Sequence, residues 1–137
     1  MKLILFVLAS LALSAVASAD LKKIQGTWKP STGQIGSKAL PKSMLDKMVL
    51  IIKDGTYDYD EGHGHDIGTL KEIAGKTPQE MDIIGTKGPN KGHTYLTIYK
   101  LEGSALIICY GLDGHRPKSF TDNGKAVTML IKYHRAG

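Results

Sequence analysis

Two imidazoles and a carboxylate fall within one short turn, His63-Gly64-His65-Asp66. Neutral imidazole suits zinc, copper and nickel, so this turn is a candidate metal seat. A tight structural zinc site wants four fixed ligands. The missing ones would have to come from other strands, with His93 and His115 the remaining candidates. Glycine on both sides of His63 also raises the cost of ordering a site. A solvated turn is therefore the favoured reading, with His63 and His65 kept as weak metal candidates. Six tyrosines, at 57, 59, 95, 99, 110 and 133, form the second chemical set. A tyrosine offers an apolar ring and a polar tip, which serves a ligand cavity as well as a filled core. Signatures of catalysis are missing. There is no Gly-x-Ser-x-Gly, no glycine-rich phosphate loop and no His-Glu-x-x-His. Asp58 and Asp60 share one strand face, as solvated outer charges do. The chain reads as a non-enzyme that requires no cofactor.

These side chains need elements to hold them, and the punctuation of the chain predicts strands. Residues 22–29 read as a first strand after a short helical turn. Residues 31–38, rich in Gly and Ser, read as a loop, and Pro41 opens one turn of helix. Asp54-Gly55 is a hairpin signal between apolar residues 48–53 and the alternating Thr56-Tyr57-Asp58-Tyr59-Asp60. Further strands are expected at 67–73, 80–86, 94–101, 105–110 and 127–135, with a loop at 87–92. About eight strands at even spacing, with no sustained helical period, indicate an all-β fold: an eight-stranded antiparallel up-and-down barrel with a short helix near Pro41.

The two ends of that barrel carry its clearest signal. Gly26 and Trp28, the only tryptophan, share a face of the first strand. Met129, Ile131, Tyr133 and Arg135 share a face of the last. With both faces inward, Arg135 meets Trp28 and closes the barrel floor, a cation–π contact worth about 0.5–2 kcal/mol. Gly26 leaves room for a close approach. In the long connection 111–124, Arg116 could meet an anion at the barrel mouth. The preferred role is structural, tying the loop to backbone carbonyls with Phe120 as an apolar peg.

The Gly-x-Trp of the first strand and the final arginine resemble the lipocalin and wider calycin superfamily. A closer likeness covers nearly all of residues 20–137. It is to a largely uncharacterised family of small lipocalin-like domains found mainly in planctomycete bacteria. The matching stretches are Leu21-Lys22-Lys23-Ile24-Gln25-Gly26-Thr27-Trp28, Glu80-Met81-Asp82-Ile83, Ile98-Tyr99-Lys100-Leu101-Glu102-Gly103, Leu106-Ile107-Ile108-Cys109, Arg116-Pro117 with Phe120, and Lys132-Tyr133-His134-Arg135. Thr97 and Ser104 stand where members often have Gly and Asp. The resemblance implies a lipocalin-like barrel and supplies no catalytic residues.

Residues 1–19 read as a signal peptide. Lys2 is followed by an apolar stretch too short to be a good membrane span, and Ala17-Ser18-Ala19 is a cleavage site. Residues 20–137 are then one lipocalin-like domain, exported to the periplasm or beyond, with no membrane span after cleavage. The net charge of +5 is scattered, which disfavours nucleic-acid binding. The single cysteine, Cys109, lies in an apolar run, so no internal disulfide is expected. The leading functional expectation is an exported non-enzymatic binding protein for a small apolar or amphipathic ligand, lined by Tyr57, Tyr59, Tyr95, Tyr99, Tyr133, Met129, Ile131 and Ile24. The alternative is an extracytoplasmic protein-interaction module with a filled barrel and an apolar patch near Ile35 or Leu112. A metal- or haem-binding barrel using His63, His65 or His93 is the weakest of the three.

Overall fold

The computed structural model describes residues 21–121 and 127–136. The leader expected at 1–19 and part of the long connection lie outside them. The described chain is a closed eight-stranded antiparallel barrel with one extra short strand. Its elements are β1 (Gly26–Ile35), β2 (Lys38–Ala39), helix α1 (Lys42–Leu45), β3 (Val49–Lys53), β4 (Thr56–Asp60), β5 (His65–Ile73), β6 (Gln79–Lys87), β7 (Thr94–Glu102), β8 (Ala105–Gly111) and β9 (Thr128–Arg135). The strands follow one another around the sheet from β3 to β9, and β1 completes the circle by pairing with both β3 and β9.

Closure falls on β1 because that strand changes partners along its length. Gly26, Thr27 and Trp28 pair with Ile52, Ile51 and Leu50 of β3. From Trp28 to Ile35 the strand pairs with β9, from Arg135 back to Met129. A register shift between Pro30 and Thr32 separates the stretches. Proline cannot donate to a ladder and is tolerated at such bulges. Ser31 sits at the shift and donates from its hydroxyl to the Lys132 carbonyl at 3.0 Å. The loop expected at 31–38 is therefore a correction. Its Gly and Ser residues continue β1 as far as Ile35, because β9 supplies the partner that local propensity does not. β2 then folds back on Gln34 and Ile35.

Alternation places one face of each strand inside. On β4 the inward residues are Tyr57 and Tyr59, both buried. Trp28, Ile131, Tyr133, Leu106, Ile108, Met81 and Tyr99 complete the fully buried core. The opposite face of β7 and β8 is also covered. Ile98 and Cys109 are cross-strand partners, both buried but outside the central cluster. Arg116 and Phe120, in the connection after β8, lie against β6 and β7. Arg116 donates from Nη1 to the Thr97 carbonyl (2.9 Å) and the Met81 carbonyl (3.4 Å), and from Nη2 to Asp82 Oδ1 (2.6 Å). Its Nε lies 3.4 Å from Glu80 Oε1. Arg116 thus ties the loop to β6 and β7, the structural role expected of it. Phe120 carries the Lys100 ammonium 4.7 Å above its ring. No helix among the described residues is long and apolar enough to cross a membrane.

Candidate functional site

The barrel has a sealed end and an open one. At the sealed end, Trp28 is fully buried and its indole Nε1 donates to the Ile24 carbonyl at 2.9 Å. The Arg135 guanidinium stacks over the ring, 4.3 Å from its centroid. It also donates to the Gln25 carbonyl (2.6 Å) and the Lys23 carbonyl (2.9 Å), binding the helical turn at 21–23 beneath the barrel. Gly26 makes this fit possible. A Cβ there would lie 2.6 Å from Arg135 Nη1, and its φ of +138° is one that side chains rarely adopt. Gly26, Trp28 and Arg135 thus meet at this end of the barrel.

Toward the other end lies a cavity of about 110 Å³. Met48, Leu50, Ile52, Leu70, Met81, Ile83 and Ile108 supply most of its apolar wall, and Tyr57, Tyr59, Tyr95 and Tyr110 supply its rings. Its partly exposed members are Glu61, Asn90, Tyr95, Leu112 and Met129, all at the end away from Trp28, so the cavity meets solvent there. The volume is below the roughly 300–1,000 Å³ of sites for drug-sized ligands. It is comparable to the cavity of about 150 Å³ known to admit benzene, and ample for water.

Two polar groups interrupt the apolar wall. The first is a line of phenols. Tyr110 and Tyr133 hydroxyls lie 2.7 Å apart, and Tyr133 donates to the Tyr59 hydroxyl at 3.3 Å. Three hydroxyl protons serve two hydrogen bonds. With Tyr133 donating to Tyr59, Tyr110 donates to Tyr133, and the Tyr59 hydroxyl ends the line as an acceptor. Burial drives all these phenols toward the neutral form. Tyr59 is pushed up to about 12, and Tyr110 and Tyr133 rise well above the ordinary value. Burial, and then the Asp66 carboxylate, raise Tyr57 as well.

The second polar group is Asp66, only 8% exposed. Its Oδ2 accepts from the Tyr57 hydroxyl (3.2 Å) and from Asn90 Nδ2 (2.9 Å), while Tyr95 donates to Asn90 Oδ1 (3.2 Å). Oδ1 is buried and has no hydrogen-bond partner among the described residues. Asn90 reaches Asp66 because the 87–92 loop folds back over β6. A Cβ on Gly85 would stand 2.0 Å from the Asn90 carbonyl oxygen, so only glycine permits the approach.

Of the residues expected to line a cavity, the structure brings Tyr57, Tyr59, Tyr95 and Met129 to it. Tyr99, Tyr133, Ile131 and Ile24 do not line it. Tyr133 backs the lining through its hydroxyl, Tyr99 donates to Glu72 Oε2, and Ile131 and Ile24 pack in the core. Asp66 and Asn90 were not anticipated as site residues. Asp66 reads in sequence as the tail of the histidine turn, yet it is the first inward residue of β5. The histidines lie outside the lining. His65 pairs through Nδ1 with Asp58 Oδ1 at 2.6 Å, and that hydrogen bond raises its pKa. His93 packs edge-on against Tyr95, with centroids 4.3 Å apart. Among the described residues no three His, Cys, Asp or Glu side chains gather as metal ligands would. Compared with family models, with curated proteins and with solved structures, the chain finds no match in any of the three.

Proposed function

We propose that this chain is an exported, non-enzymatic binding protein that holds a small apolar or amphipathic molecule inside a lipocalin-like barrel. The observation that carries this reading is the cavity itself. It is apolar on most of its wall, closed at the Trp28 end and in contact with solvent at the other, with Asp66 and the Tyr59 hydroxyl among its few polar groups. A few polar groups in an apolar concavity are the usual composition of a small-molecule site. The export signal read from residues 1–19 and the likeness to small lipocalin-like domains belong to the same proposal.

Native mass spectrometry of the protein from its own host, followed by extraction, is expected to recover a bound molecule. Purified protein should also take up toluene, read as a rise in thermal midpoint with toluene concentration. Ile83→Phe, which fills the cavity, should abolish that rise while the barrel stays folded. Unchanged midpoints with toluene in the parent protein would remove the basis of the proposal. The interaction-module alternative retains one feature, an exposed Ile35 (43%) beside the mouth. Its filled interior is not what the structure has, and Leu112 lines the cavity instead of forming a separate patch.

A further inference from the structure

The cavity is acidic in a basic protein. The chain carries a net charge of +5, yet the described cavity lining contains no lysine, arginine or histidine. It does contain two carboxylates, Asp66 within and Glu61 at the exposed rim. Asp66 is more than nine-tenths buried, and its two oxygens differ sharply in environment. Oδ2 is held by the neutral donors Tyr57 and Asn90. Oδ1 is sealed from solvent and has no donor among the described residues. A buried carboxylate is costly to leave half-satisfied, and native proteins seldom do so without a reason.

We infer that the ligand is a small organic ammonium, a primary amine cation on an apolar ring or short chain, with Asp66 as its counter-ion. This assignment rests on reading the barrel as a small-molecule binder. Three features of the wall favour that class. An ammonium brings positive charge, three donors and no acceptor, which suits a lining that holds the carboxylates Asp66 and Glu61 and no basic side chain. The rings of Tyr57, Tyr59, Tyr95 and Tyr110 line the cavity, and an aromatic face carries negative quadrupole, which attracts cations most strongly where water is excluded. An anionic amphiphile such as a fatty acid would instead set its carboxylate against Asp66 and Glu61 with no cation between them. The apolar wall formed by residues such as Leu50, Ile83 and Ile108 takes the hydrocarbon part, and the volume of about 110 Å³ confines it to something near the size of a single ring.

The test is calorimetric titration of the full mature chain with benzylammonium, benzyl alcohol and benzoate, probes of similar shape and charges of opposite sign or zero. Benzylammonium should bind at least about tenfold more tightly than benzyl alcohol, the scale expected when a buried polar group is otherwise left unpaired. Benzoate should bind more weakly than the alcohol. Asp66→Asn should bring the affinity for the ammonium close to that for the alcohol. Glu61→Gln, at an exposed position, should weaken the ammonium by a smaller factor than Asp66→Asn does. Equal binding of ammonium and alcohol to the parent protein would overturn the cation assignment and leave the barrel a small-molecule binder. An ammonium preference that survives Asp66→Asn would also overturn it. Failure of all three probes and of toluene would overturn the binding reading and this assignment together. Should Asp66→Asn not fold, the charge series on the parent protein and Glu61→Gln still decide the matter.

Discussion

The two ends of this barrel spend their polar groups differently. At the floor the donors are met: the Trp28 indole has the Ile24 carbonyl, and the Arg135 guanidinium has those of Gln25 and Lys23. At the mouth, Asp66 Oδ1 has no hydrogen-bond partner among the described residues, and the Tyr59 hydroxyl belongs to a side chain that lines the cavity. A satisfied network stabilises the fold, and an unsatisfied one leaves free energy to be gained from a ligand. Floor and mouth are thus separable, and substitution can show whether stability and binding divide along the same line.

The largest expected effect is at the floor. Trp28→Ala should lower unfolding free energy by about 3–5 kcal/mol, the range for a buried aromatic truncated to alanine, as read by urea denaturation. A loss below about 0.5 kcal/mol, the size of an ordinary surface change, would mean that the floor is not what holds the barrel shut. Alkaline pH comes next. The buried tyrosines have folded pKa values above their unfolded value of about 10, so their contribution is complete below about pH 10 and is lost as pH rises through the folded values. Each should remove up to about 1.4 kcal/mol per pH unit in that window. Tyrosinate absorbance of these residues should appear together with unfolding and not before it.

Gly26→Ala should cost about 1–3 kcal/mol, since it strains a positive-φ backbone and displaces the Arg135 guanidinium. Toluene uptake, corrected for the lower midpoint, should stay intact. Lost uptake with little lost stability would break the division between the ends. The smallest effect belongs to the exposed pair of His65 and Asp58. Because His65 has a raised pKa, the pair's contribution is present below the ordinary histidine value and fades as pH rises through the raised one. Asp58→Asn should therefore shift the thermal midpoint slightly at about pH 5 and not at about pH 9.

Much of the floor was legible in the sequence, and the mouth was only half so. Alternation on the first and last strands sufficed to put Trp28 and Arg135 on inward faces at one end. The same period put Tyr57 and Tyr59 inside. It says nothing of height along the barrel axis, which is why Tyr99, Tyr133 and Ile131 share the inward face yet lie off the cavity. Asp66 was hidden by its neighbours, since a carboxylate after His63-Gly64-His65 reads as part of a turn until β4 pairs Tyr59 with it. Asn90 sits in a loop whose composition announces a turn, and its reach to Asp66 depends on the fold-back over Gly85. The stretch 31–35 has the composition of a loop and the structure of a strand, because its partner β9 lies about a hundred residues away.

That last pairing has a consequence for how the molecule comes into being. The other ladders of the barrel join strands that are adjacent or nearly adjacent along the chain, whereas β1 and β9 bring residue 28 against residue 135. Closing so long a loop exacts its entropy before any contact rewards it, and such contacts slow folding. The hairpins can therefore gather early, while the ring waits for β9. Until Arg135 arrives, both β1 and β8 present bare edges to their surroundings, and in that interval the protein is open to association with other copies of itself.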